Sequence, residues 1–299
     1  MSASAQAEVR AMLAEAGLRG SFLVRDLDSG DVLGLDPDIV MPLASLVKVP
    51  LAITIAERIE AGTLDPATMI DVPPGDVAGR GPVGISRFRH PARVALEDLL
   101  YMTVSVSDNA AADELFALAP PADVMSTLRA VGVGGITIRH DMRPLMETPI
   151  ERLGADEAHL AHALAIGAGT EDGAHLVTQL DVSRTNTGTA TACADVLAEI
   201  WSPRTIRPAS AARVRELLRH NVFRQRLAPD FTSDRMAWSS KTATLLNLRH
   251  EAGVVEHADG QRIAVVALSE SLVPAAAQPG AEAQIALAAR RLHDELRAR

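Results

Sequence analysis

The chain has 299 residues, 47% hydrophobic and 22% charged, with a formal net charge of −9. That is the composition of a soluble globular protein long enough to bury a sizeable core. The acidic balance argues against nucleic-acid or anionic-membrane binding, no apolar run reaches the roughly 18 residues of a spanning helix, and the lone Cys193 excludes an internal disulfide or a cysteine metal cluster.

In chain order, residues 4–17 place Val9, Met12, Leu13 and Ala16 at helical spacing until Gly17 and Gly20 stop the run. Met1 to Arg10 lacks the basic-then-apolar order of a secretory signal, which sets the expectation of a cytoplasmic protein. Apolar runs at 21–24 and 32–33 around Asp28-Ser29-Gly30-Asp31 predict a β-hairpin. From Ser45 to Ala61 the pattern is helical, with Pro50 near the start. Residues 63–93, rich in Gly, Pro and Arg, read as loop, and 95–103, 109–118, 122–131 and 190–201 read as helices. Residues 140–189 contain many turn formers and no clean strand, a length of connection that is uncommon unless functional. Three strand-like runs follow at 237–243, 253–257 and 263–268, with a tight turn at Ala258-Asp259-Gly260, and 281–298 closes the chain as a helix.

Strands at both ends and helices between them predict an α+β fold: one antiparallel sheet built from the two ends and flanked by terminal helices, beside an all-α lobe. The expected division is 1–44 with 230–299 for the sheet lobe and 45–229 for the helical lobe, with an extended Ω-region over about 140–189 and a cleft between lobes for the site.

Three motifs occur in order: Ser45-Leu46-Val47-Lys48, Ser107-Asp108-Asn109 and Lys241-Thr242-Ala243. A serine hydroxyl needs a base to become a nucleophile. Lys48, one helical turn after Ser45, can reach it and serve as base if burial or a second cation lowers its pKa. Lys241 is the candidate second cation and, with Thr242, the anchor for an anionic substrate group. Ser107 is the candidate proton relay, Asn109 a tether for Lys48, and Asp108 a brace for the loop. The chain's composition sharpens this reading. Of 29 basic residues only Lys48 and Lys241 are lysine, and two lysines placed at random among those positions would coincide with both motifs about once in four hundred. Arginine serves where only positive charge is needed, because it cannot give up its proton.

With these motifs the sequence resembles the class A β-lactamases and the wider penicillin-recognising serine hydrolases, from about Ser21 to Arg299; Ser45 and Ser107 stand 62 residues apart, close to that family's interval. The resemblance implies an acyl-enzyme on Ser45, an oxyanion hole from the backbone N–H groups of Ser45 and Thr244, and no metal or organic cofactor. It also marks departures. Arg143 falls where class A enzymes place the glutamate that activates the deacylating water, Pro144 keeps its place, and Glu147 falls where the family has a water-holding asparagine. Glu147 is therefore a candidate replacement base, or an ion-pair partner of Arg143. Ala243 replaces a glycine, and its methyl would crowd a substrate lying on the strand. Arg249 or His250 falls near a carboxylate-binding arginine, with an ordinary strand-end charge as the alternative. The interval from Ser107 to Lys241 exceeds the family's, and residues 148–182, with Glu151, Asp156, Glu157, Glu171, Asp172 and Asp181, fit the surplus as a lid or as a solvated acidic insertion.

Other features point to packing. Glu157, His159 and His162 have metal-compatible spacing, but exposed helix faces often carry such residues. Tyr101, Trp201, Trp238 and Cys193 read as packing residues. Gly132-Val133-Gly134-Gly135 lacks the setting of a dinucleotide fingerprint. The expected activity is a serine hydrolase of an amide, lactam or ester with a small anionic substrate. The alternatives are a true β-lactamase using Glu147, or a sensor domain that traps an acyl group.

Overall fold

In a computed structural model the described residues are 3–75, 81–147, 158–168, 175–273 and 280–299. Helix α1 (Ala3–Glu15) leads into β1 (Leu18–Asp26) and β2 (Val32–Leu35). A short β3 (Met41–Pro42) and a 3₁₀ turn (Ala44–Val47) precede α2 (Lys48–Glu60). Next come β4 (Met69–Val72), β5 (Ala92–Ala95), α3 (Leu96–Val104), α4 (Asn109–Leu118), α5 (Pro121–Ala130) and β6 (Ile136–Thr137). The second half holds α6 (Ala158–Ala168), β7 (Thr187–Gly188), α7 (Ala190–Trp201), α8 (Pro208–Arg219), α9 (Ala228–Phe231), β8 (Met236–Leu245), β9 (Leu248–His257), β10 (Arg262–Ser271) and α10 (Ala281–Arg297). No helix among the described residues is long and apolar enough to cross a membrane.

The expected closure of the two chain ends is present. Five antiparallel strands run in the order β2-β1-β10-β9-β8, with Leu18 to Asp26 registered against Ser271 to Ile263. Side chains of β10 alternate between two cores. Ile263, Val265 and Ala267 join one cluster with Val9, Leu13, Ile285, Leu292 and Leu296 of the terminal helices. Ala264, Val266 and Leu268 join a larger cluster with α2, α3, α4 and α7. Both faces are covered, so β10 reads as a continuous apolar run rather than an alternating one.

Several elements differ from the sequence reading. Helix α8 is not among the expected helices; Pro208 occupies its first turn, where its missing N–H costs nothing. Met69–Val72 lies in the expected loop and pairs with Ala92–Ala95 at its end, and α6 and β7 lie in the stretch read as turn formers without a clean strand. Strand β9 begins at Leu248, five residues before the apolar run, because its polar His250 and Glu251 are fully buried. Asp181 is buried, accepting from the Ser183 N–H and Oγ at 2.8 and 2.7 Å, so it does not belong to a solvated insertion. Glu151, Asp156, Glu157, Glu171 and Asp172 lie outside the described residues.

Candidate functional site

The expected α2 start resolves into two pieces. Ser45 sits in the 3₁₀ turn and Lys48 opens the α-helix. In a 3₁₀ turn residues three apart eclipse, so Ser45 and Lys48 still share a face. Ala44, just before the serine, is held at φ +45°, and Ser107 at φ +64°. Non-glycine residues in this region are strained, and such strain concentrates at functional sites.

The second motif meets the first through Lys48. Its Nζ donates to the Ser107 carbonyl at 2.7 Å, to Asn109 Oδ1 at 2.7 Å and, more weakly, to Ser107 Oγ at 3.4 Å. Asp108 braces the loop as expected. Its Oδ1 accepts from Ser86 Oγ at 2.7 Å and from the Ala111 N–H at 3.1 Å, and its Oδ2 accepts from the Ser86 N–H at 3.1 Å. It thereby caps α4, whose first residue is Asn109.

Lys48 is fully buried, and burial pushes its ammonium down to about 7, against the opposing pull of Asp108 and Asp113. The lowering therefore comes from burial, where the sequence reading also invoked Lys241. The second-cation effect is resolved on Lys241 itself, which is held well below the usual lysine range by burial first and then by Lys48, with Glu251 opposing and Arg226 assisting.

Lys241, Thr242 and Thr244 lie on β8, the edge strand of the sheet, which packs against the Ser45 turn. Lys241 Nζ donates to the Thr242 carbonyl at 2.9 Å. Beneath the strand, Glu251 is fully buried and accepts from Ser240 Oγ at 2.6 Å, Trp238 Nε1 at 2.8 Å and the Leu227 N–H at 2.8 Å. Ala243 is 2% exposed and joins the larger core cluster, so its methyl packs inward rather than crowding the open strand edge.

Two expected anion-binding residues are occupied elsewhere. His250 is fully buried, with Nδ1 accepting from the Ser269 N–H at 3.0 Å, so Nε2 carries the proton donated to the Pro42 carbonyl at 2.8 Å. Burial pushes its pKa down to about 4, so it is neutral and takes no substrate carboxylate. Arg249 donates to the carbonyls of Leu246 and Leu248 at 2.6 and 2.8 Å. The cation that does lie against the strand is Arg226, fully buried, which reaches Thr244 Oγ1 at 3.2 Å, the His250 carbonyl at 2.5 Å and Glu282 at 2.7 Å. It escaped the sequence reading because it is one of many arginines and has no local motif.

Arg143 is largely exposed, and its Nε lies 2.9 Å from Asp141. The side chain of Glu147 lies outside the described residues, as do Glu157 and the side chains of His159 and His162. Among the described residues no cluster of three or more His, Cys, Asp or Glu could hold a metal ion.

A sequence model of the beta-lactamase enzyme family matches residues 4–296. The chain belongs to that family. The chain is also 57% identical, over 97% of its length and 96% of the relative's, to a protein of Streptomyces cacaoi called beta-lactamase regulatory protein BlaB. The β-lactamase fold is seen in a beta-lactamase from Chitinophaga pinensis (TM-score 0.73, 21% identity, covering 98% of this chain and 99% of that one). It is seen again in a mutant of PBP-A solved as an acyl-enzyme complex with penicillin-G (TM-score 0.76, 17% identity, covering 99% and 97%).

Proposed function

We propose that this chain is a regulatory member of the β-lactamase family, one that takes an acyl group onto Ser45 and releases it slowly. The observation that carries the reading is Arg143. It stands where the family's water-activating glutamate is expected, points largely into solvent and pairs with Asp141. A guanidinium cannot act as a base at neutral pH. The regulatory role is supported by the name of the 57% identical Streptomyces protein, and the acyl-serine by the PBP-A mutant that holds penicillin-G on the same fold.

The acylation half of the chemistry is assigned to these residues. Lys48, lowered to about 7, is deprotonated in a sizeable fraction of molecules at neutral pH and can take the proton of Ser45. Ser45 Oγ then attacks the carbonyl of an amide, lactam or ester. Ser107, whose Oγ is 3.4 Å from Lys48 Nζ, passes a proton to the leaving nitrogen or oxygen. The backbone N–H groups of Ser45 and Thr244 hold the developing oxyanion. Lys241 and Thr242 anchor an anionic group, with the Arg226 cation behind the strand.

The test is colour release from a chromogenic cephalosporin. One equivalent per protein, absent from Ser45→Ala, supports the proposal. Sustained turnover that Glu147→Ala abolishes establishes a working β-lactamase instead. Sustained turnover by Ser45→Ala removes the acyl-serine altogether.

A further inference from the structure

Asp113 was not singled out by any motif, yet it stands at the junction of the site's parts. It lies four residues after Asn109 on α4, so the two side chains share one helix face. Asn109 Oδ1 holds Lys48 Nζ at 2.7 Å. Asp113 Oδ1 accepts from the Met142 N–H at 2.8 Å. Met142 in turn is flanked by Asp141 and Arg143, whose side chains pair at 2.9 Å. Asp113 therefore joins the α4 face that holds Lys48 to the turn that carries Arg143.

A buried ammonium requires a nearby negative charge. Two carboxylates interact with Lys48 in this way, Asp108 and Asp113. Asp108 is committed to Ser86 and to the cap of α4. The charged groups around Asp113 are Lys48, Arg143 and Asp141, and Lys241 is the cation that faces Lys48 from β8. We propose that Asp113 is a positioning residue of the Ser45 site: its carboxylate, pinned by the Met142 N–H one turn beyond Asn109, is a counter-charge that favours the ammonium form of Lys48 and so limits how much of it stands ready as the base.

The electrostatics agree. Burial raises the Asp113 carboxyl to about 6, with the Met142 bond, Arg143 and Lys48 opposing and Asp141 assisting. Lys48 is at about 7. Groups coupled in charge titrate with apparent values that belong to the pair. The charge that the resemblance places on the Arg143 turn is supplied here from α4 instead. The proposal rests on the reading of Lys48 as the base, and not on the fate of the acyl group.

Asp113→Asn isolates the charge, because the amide oxygen can still accept from Met142. The chain contains only two lysines, so protein labelled with ¹³C-lysine gives two Cε signals, assigned with Lys241→Arg. In Asp113→Asn the Lys48 titration midpoint should fall by about one pH unit, and the acidic limb of the Ser45 acylation rate should move with it. A Lys48 midpoint that stays in place overturns the proposal. Should Asp113→Asn fail to fold, the ¹³C-aspartate signal of Asp113 in the unaltered protein decides. It should show a second inflection at the Lys48 midpoint, and a single inflection overturns the proposal. A lowered midpoint in a protein that never acylates sinks the acyl-serine reading and leaves the role of Asp113 standing.

Discussion

Lys48 and Lys241 are both fully buried, whereas arginines such as Arg10, Arg143 and Arg207 form ion pairs near the surface. The difference is chemical. A lysine can lose its proton when water is removed from around it, and a guanidinium cannot. Lys48→Arg should therefore fold and fail to acylate, with adduct formation on Ser45 slowed by roughly 10²–10⁴-fold, the range of a lost general base. An acylation rate within a few-fold of the unaltered protein would remove Lys48 from that role. Ser45, Lys48, Ser107 and Asn109 were legible in the sequence because each pair lies within a few residues, and local geometry fixes what they can touch. Arg226 and Asp113 were not, because each meets its partners only after distant elements pack. His250 and Arg249 looked like free cations at a strand end, but backbone carbonyls and burial absorb them.

At the scale of elements, the site hangs on how α4 begins. Asp108 ties the Ser107 loop to Ser86 with two hydrogen bonds and to the Ala111 N–H with a third, and a Cβ at Gly84 would lie 2.2 Å from its Oδ2. Asp108→Ala removes the cap and strands the buried Ser86 donors. The cost is about 2–4 kcal/mol, a cap at about 1 plus a buried unsatisfied group at about 1–3. Denaturant unfolding measures it, and a loss under about 0.5 kcal/mol, the range of an ordinary surface substitution, would contradict the bracing role. Helices α3, α4, α5 and α7 follow the sequence reading to within about a residue, since strong periodicity marks existence and type better than ends. Helix α8 and the first half of β9 were missed for physical reasons. Pro208 stands in the first turn of α8, and buried His250 and Glu251, satisfied by partners from other elements, interrupt the apolar pattern of β9.

Among the described residues, the five-stranded sheet carries a core on each face. The larger core draws Leu23 and Leu248 from the sheet together with residues of α2, α3, α4 and α7, and Ala44, Leu46 and Val47 of the Ser45 turn belong to it. Architecture was legible because both chain ends carry strand patterns that only each other can complete. Two buried histidines tie this interior to pH. His250, between the Pro42 carbonyl and the Ser269 N–H, and His257, bonded to His293 at 2.9 Å, are both pushed down to about 4, chiefly by burial. In the unfolded chain each returns to the ordinary value near 6.5. Between these values the unfolded state binds protons that the folded state does not, so stability is full above about pH 6.5 and declines as pH falls toward 4. Thermal unfolding from pH 7 to 4 should show this decline, and His250→Gln should make it shallower; equal slopes would rule out His250 as a contributor.

The central claim is that Ser45 takes an acyl group and keeps it. Intact mass during and after exposure to a chromogenic cephalosporin measures this directly. The account predicts a rise of one ligand mass, less any group expelled as the ring opens, mapped to the Ser45 peptide, absent from Ser45→Ala and still present after colour release has stopped. Continuous colour release with the protein at its native mass would contradict it.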